Sequence, residues 1–222
     1  MSNETFQHDT QVRDYFEART AEYDAFYEPS SRIERSFNRV FRKAVYLRRD
    51  EVITIANRFG CRSVLDVGCG SGRNTIYWAH NGLERLHGVD VSPEMVMIAK
   101  SISERAGVAD RCTFDVADFT QWGSDNQYDM VVACGVFDYV VDAESFLAQM
   151  ARMAKHVIYG SFPGWTLVRS PLRKLRYALR GCPTHFYRRK ELDRIFTRVG
   201  FGPLEVKQNS AGHLAWSYRK SK

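Results

Sequence analysis

Cysteine is scarce and without pattern. The five present (Cys61, Cys69, Cys112, Cys134 and Cys182) are odd in number, scattered, and never in a C-x-x-C pair. That usage argues against a disulfide framework and against a structural zinc site, so no metal is assigned. No apolar run approaches the ~20 residues a membrane span needs, and the polar start MSNETFQHDT carries no signal-peptide core. A cytoplasmic protein without a membrane span is the expectation. The 222 residues suit one α/β domain with decorations, and 44% hydrophobic with 26% charged residues is ordinary for a globular chain. A net charge of +6 and a pI near 9.1 fit an anionic substrate, a nucleic acid or a solvated basic face.

One further absence decides the ligand class. Val64 to Val67 is a short apolar run around Asp66, broken at once by Gly68, Gly70 and Gly72. This reads as a buried strand entering a tight turn, with a helix from Thr75 to Ala79. Glycines let the backbone approach a nucleotide-like ligand, and a helix start offers unpaired N–H groups. The dinucleotide fingerprint G-x-G-x-x-G would need glycine at position 73, where the chain has Arg73. The pattern present is D-x-G-x-G-x-G.

In chain order, residues 11–27 form an amphipathic helix after a polar start. A second amphipathic segment runs from Arg32 to Arg49, and a third helix from Asp50, an N-cap candidate, to Phe59 before Gly60. After the glycine turn, Arg85 to Val89 is a strand ending at Asp90, 18 residues after Gly72. A carboxylate at such a strand end can accept from both ribose hydroxyls of an adenosine, with Val91 beside it. Ser92 and Pro93 open the next helix. Cys112–Val116 is a strand leading to Asp118, placed to accept from an adenine amino group with Met95 and Phe119 as apolar neighbours. Tyr128–Cys134, a helix over Asp142–Ala154, and His156–Ser161 complete a doubly wound parallel pattern. Ligands sit beyond the carboxyl ends of such strands, where Cys134 to Tyr139 also falls.

Residues from about 50 to 161 resemble the core of class I S-adenosylmethionine (SAM) dependent methyltransferases. The resemblance rests on LDVGCGSG at 65–72, GVDVSPEMV at 88–96, VADF at 116–119 and YDMVVACGVFDYV at 128–140. YFEARTAEYD at 15–24 is similar to the N-terminal cap of small-molecule enzymes of the quinone-biosynthesis and magnesium-protoporphyrin type. The resemblance implies a Rossmann-like, seven-stranded, mostly parallel sheet with the last strand antiparallel, the final pair falling at 201–206 and 213–218. It also implies SAM as cofactor and S-adenosylhomocysteine (SAH) as product. Tyr15, Arg19 and Tyr23 would meet the methionine end with Asp66, Gly68, Gly70 and Gly72. Many relatives carry a histidine just past the fourth strand, where this chain reads Gly135-Val136-Phe137-Asp138-Tyr139. A general base, if one exists, is then Asp138, Tyr139 or His185. An in-line displacement from a sulfonium can proceed by alignment of the acceptor alone.

The expected organisation is a cap over 1–49, a core over 50–163, a basic lid over 164–190, and a closing helix and strand pair over 191–222. Between Trp165 and Lys190 the chain has no acidic residue but many arginines, interleaved with Trp165, Tyr177, Phe186 and Tyr187. Arg173, Arg176 and Tyr187 are the substrate-binding candidates, for an acceptor with a carboxylate or phosphate on a flat or apolar body. The expected function is methyl transfer to an oxygen, or else a nitrogen, of a small anionic metabolite. A solvated helix face, an RNA methyltransferase and a non-catalytic SAM-binding domain are the competing readings.

Overall fold

The computed structural model describes residues 32–165, 185–209 and 212–219, with side chains described from Tyr46 onward. Tyr15, Arg19, Tyr23, Arg173 and Arg176 lie outside the described residues. The chain opens with α1 (Arg32–Phe59) and then alternates: β1 (Ser63–Val67), α2 (Arg73–His80), β2 (Arg85–Asp90), α3 (Pro93–Arg105), β3 (Cys112–Val116), β4 (Tyr128–Ala133), α4 (Ala143–Met153), β5 (Ala154–Pro163), α5 (Arg189–Val199), β6 (Leu204–Asn209) and β7 (Gly212–Tyr218). The strands form one seven-stranded sheet in the order β3-β2-β1-β4-β5-β7-β6. β1 to β5 pair in parallel, whereas β7 is antiparallel to both β5 and β6. Succession reverses between β1 and β4, which leaves a crevice at their carboxyl ends, the ligand-binding place of open α/β sheets.

Apolar side chains fill both faces of this sheet. On one face Val52 and Ile55 of α1, Trp78 of α2 and Val96 of α3 pack over Val64, Leu86, Met130 and Val157. On the other, Phe146 and Leu147 of α4 and Leu192 and Phe196 of α5 pack over Leu65, Val131 and Ile158. Every residue of β1 is buried, as expected for a parallel strand covered on both faces. Local signals agree at the helix starts. Ser92 Oγ accepts from the Met95 N–H with Pro93 next to the cap, and Asp142 accepts from the Ser145 N–H.

Two expectations are corrected. Asp50 does not start a helix, because α1 runs unbroken through it for 28 residues. No glycine or proline interrupts 32–59; the Asp50 carboxylate meets the Arg49 Nε and its carbonyl accepts from Thr54. Capping preference alone does not end a helix whose packing continues. The expected boundary at residue 49 therefore falls inside one rod. Two aromatic side chains hold that rod, one on α2 and one on the sheet: Trp78 Nε1 donates to the Arg49 carbonyl at 2.9 Å and the Tyr159 hydroxyl to the Arg48 carbonyl at 3.2 Å.

Tyr187 is the second correction. It was expected in the substrate lid but is 4% exposed, with its ring edge-on to Phe137 and Phe162 in the core. Its N–H donates to the Pro163 carbonyl at 2.8 Å, and Tyr187 bridges to Gly164. This pins together the two ends of the 165–186 excursion. A continuous α1 predicts that Glu51→Pro, which a helix beginning at Asp50 would tolerate at its first position, destabilises the protein by about 3 kcal/mol. Chemical denaturation measures this, and an unchanged midpoint would restore the two-helix arrangement.

Candidate active site

The glycine turn leaves β1 through three left-handed glycines, Gly68, Gly70 and Gly72, with φ of 69°, 53° and 70°. Their roles differ. A Cβ on Gly68 would collide with the Val136 side chain, and one on Gly72 would stand 2.8 Å from Ala99 and 2.9 Å from Phe114. Those two glycines serve close packing. A Cβ on Gly70 meets nothing within 4 Å, so this is where the turn faces open space.

The backbone donors of the turn belong to β2. Gly68 and Cys69 N–H both donate to the Val89 carbonyl, at 2.8 and 3.1 Å, and Gly70 N–H donates to Asp90 Oδ2 at 2.8 Å. A pyrophosphate would find these three occupied, which opposes a dinucleotide. The start of α2 has no side-chain cap, in line with the open helix start expected from the sequence. Asp90 Oδ1 accepts from the Ser92 N–H at 3.0 Å. Burial raises the Asp90 pKa, against backbone N–H groups of Ser92, Gly70 and Val91 that favour the carboxylate. Asp90 thus closes the turn structurally, and with three N–H donors on about four acceptor sites its carboxylate keeps room for a further donor.

Asp66 sits at the base of the crevice, 1% exposed. Its Oδ2 accepts from Thr75 Oγ1 at 2.6 Å, while Oδ1 has no partner. Burial pushes its pKa up to about 7, with Thr75 pulling against the shift and Asp90 adding to it. An unpartnered buried carboxylate oxygen is costly unless a ligand cation satisfies it.

Sequence reasoning missed the cation. Arg48, carried by α1, lies half-buried over the ends of β4 and β5. Its Nη1 donates to Ser161 Oγ at 3.4 Å, the same oxygen that accepts from the Gly135 N–H at 2.8 Å. A Cβ on Gly135 would come within 3.0 Å of that Nη1. Arg48 has no carboxylate partner among the described residues. Cys134 feels both charges: burial and Asp66 raise its thiol pKa, and Arg48 opposes them. Arg48 escaped notice because it is one basic residue among many on an amphipathic segment, and only the fold distinguishes it.

The remaining candidates group unevenly. Asp118 follows β3, but its Oδ1 accepts from the Thr120 N–H and hydroxyl and its Oδ2 from Gln121 Nε2, so it first holds its own loop. Met95 is buried in the first turn of α3. The Phe119 ring packs on Phe146 in the core, 5.0 Å between centroids, and backs the expected adenine wall instead of forming its surface. Gln149 of α4 donates to the carbonyls of Phe119 and Trp122 and so fixes this loop, a long-range tie with no local signal in the sequence. The backbones of His185 and Asp138 meet, the His185 N–H donating to the Asp138 carbonyl at 2.9 Å, while the Tyr139 N–H closes the turn on the Val136 carbonyl. Asp138 and Tyr139 are buried, and His185 is partly open. Among the described residues no His, Cys, Asp or Glu cluster could hold a metal, and no helix is long and apolar enough to cross a membrane.

Sheet order, glycine turn and strand-end acid together define a Rossmann-like nucleoside-binding domain of the methyltransferase kind. Comparison with known proteins agrees. Residues 64–156 match the family described as methyltransferase domain. Ajmaline N-methyltransferase of Rauvolfia serpentina is 32% identical over 94 residues, 42% of this chain and 32% of that protein. A probable chloroplastic tocopherol O-methyltransferase of Oryza sativa subsp. japonica is 30% identical over 94 residues, 42% of this chain and 26% of that protein. The chain thus matches about a quarter to a third of the length of these relatives. The fold is shared with the crystal structure of magnesium protoporphyrin IX methyltransferase from Synechocystis PCC 6803 with bound SAH, at a TM-score of 0.74 and 21% identity over 96% of this chain and 100% of that one. Residues 64–156 therefore resemble the methyltransferase domain family, and the fold of the described residues is that of the SAM-dependent methyltransferases.

The Asp66 geometry sets a pH dependence. A carboxyl whose pKa is raised on folding, from about 4 to about 7, binds protons more tightly when folded, so the ligand-free protein loses stability as pH rises across that interval and no further above it. Relative to Asp66→Asn, the wild type should lose up to a few kcal/mol between pH 4 and 7 in denaturation at stepped pH. A difference independent of pH contradicts the buried, unpartnered carboxyl.

Proposed function

We propose that the protein transfers a methyl group from SAM to an oxygen, or else a nitrogen, of a small anionic acceptor. The observation that carries the reading is that the carboxyl ends of the central strands hold a buried carboxylate and a cation that do not neutralise each other. Asp66 Oδ1 at the base of the crevice has no hydrogen-bond partner, and Arg48 over the ends of β4 and β5 has no carboxylate partner among the described residues, the complements that the ammonium and carboxylate of an amino-acid tail require. Asp90 would accept from the ribose hydroxyls, and the loop held by Asp118 and Gln149 would border the adenine. Gly70 leaves room for close approach. When bound, SAM supplies an electrophilic methyl carbon on a sulfonium.

Of the three base candidates, His185 suits proton transfer best, because its ring is partly open while Asp138 and Tyr139 are buried. Asp138 orients it through the backbone. The anionic acceptor is inferred from the basic, aromatic stretch that includes Arg173 and Arg176 and from the acid-free composition between Trp165 and Lys190. Oxygen and nitrogen methyltransferases both occur among the similar proteins, so the acceptor atom follows from substrate screening.

Two tests follow. Arg48→Met should weaken SAH binding about tenfold while leaving methylthioadenosine, which lacks the amino-acid tail, within about twofold. Equal loss for both ligands would remove Arg48 from the tail site. In an SAH-release assay, turnover is expected with aromatic carboxylic acids or phenolic acids and not with bulk tRNA, and turnover on tRNA alone would favour the RNA methyltransferase.

A further inference from the structure

The described residues line a cleft of about 260 Å³ in which, apart from His185, the chemistry above gives no residue a role. It lies between α4 and α5, beside the turn that follows β4. Three carboxylates line it, and each is already engaged. Asp142 accepts from the Ser145 N–H and hydroxyl, Glu144 pairs with Arg198 at 3.0 Å, and Glu191 accepts from the Arg188 N–H. Arg194 lines the same cleft and has no hydrogen bond or ion pair among the described residues. The wall beside it is apolar: Val141 is 49% exposed, and the Phe186 ring stands edge-on to Trp165 with centroids 5.5 Å apart.

The cleft is coupled to the crevice by the chain itself. Val136 of the β4 turn presses on Gly68, and Val141, five residues later, lines the cleft. Five residues extend at most about 17 Å, which bounds the separation of the two and sets the acceptor's length. His185 lines the cleft and is tied by its N–H to Asp138 in the same turn. The five ionised lining side chains sum to a formal charge of −1, so the cleft does not draw anions from a distance. Selectivity here would come from local contact, for which a planar guanidinium without a partner suits a carboxylate in bidentate fashion.

We propose that this cleft is the distal subsite for the methyl acceptor, with Arg194 receiving a carboxylate. The inference rests on the methyltransferase reading and narrows its substrate class. The acceptor is an elongated molecule whose carboxylate is separated by a flat apolar body from the atom that takes the methyl group. The apolar body lies along Val141 and Phe186, and the accepting atom points to the β4 turn near His185.

The test uses the full chain saturated with SAH and three probes of one shape: naphthalene-2-carboxylate, its neutral amide, and naphthalen-2-ylmethylammonium. Calorimetry on the wild type should give about tenfold tighter binding of the carboxylate than of the amide. Arg194→Gln should bring the carboxylate to the level of the amide while SAH affinity stays unchanged. Equal binding of carboxylate and amide, a carboxylate affinity indifferent to Arg194→Gln, preference for the ammonium probe, or no binding of any probe would each overturn the proposal while the cofactor assignment stands. Failure of SAH to bind at the outset would overturn the methyltransferase reading along with it.

Discussion

The site depends on how tightly the glycine turn is fastened to β2. Two N–H groups converge on the Val89 carbonyl and a third on the Asp90 carboxylate, so the backbone that leaves β1 is held before any ligand arrives. Gly68 and Gly72 allow this by removing the Cβ atoms that would strike Val136, Ala99 and Phe114. The fastening also shapes the chemistry. With the N–H groups of Gly68, Cys69 and Gly70 turned inward, what these residues leave toward the crevice is an open Gly70 and two carboxylates with unused acceptor capacity.

A crevice presenting only carboxylates would repel half of a zwitterion. The cation arrives from α1, whose unbroken course past Asp50 places Arg48 over the ends of β4 and β5. Trp78 and Tyr159 hold that stretch through backbone carbonyls, so the position of Arg48 is tied to both the sheet and α2. The turn after β4 then connects the two halves of the site. It presses on Gly68 through Val136, carries Asp138 and Tyr139 inward, meets His185 through the backbone, and emerges at Val141 beside Arg194.

The parts of this arrangement that were legible in the sequence are local. Glycine spacing, the Ser92-Pro93 cap, the alternation of strands with helices, and Asp90 at a strand end each write a backbone rule into neighbouring residues, and the strands from β1 to β4 fall where those rules put them. What escaped is non-local. Asp50 looks like a cap because capping is a preference, and the continuity of α1 is decided by the packing of its Val52 and Ile55 on the sheet, which sequence spacing does not weigh. Tyr187 sits in a run of basic and aromatic residues, yet its ring is drawn into the Phe137 and Phe162 cluster by contacts 50 and 25 residues away. Arg48, Gln149 and Arg194 act through partners, or a lack of them, that only the assembled fold reveals. The three glycines read alike in the sequence, and only their surroundings separate two packing positions from the one that faces open space.

Calorimetric titration of the purified protein with SAM, SAH and NAD tests the central claim most directly. Saturable binding of the two adenosyl amino acids, with none of NAD, is the predicted result. Binding of NAD, or of none of the three, would contradict the assignment of the crevice between Asp66, Asp90 and Arg48 to a methyl donor.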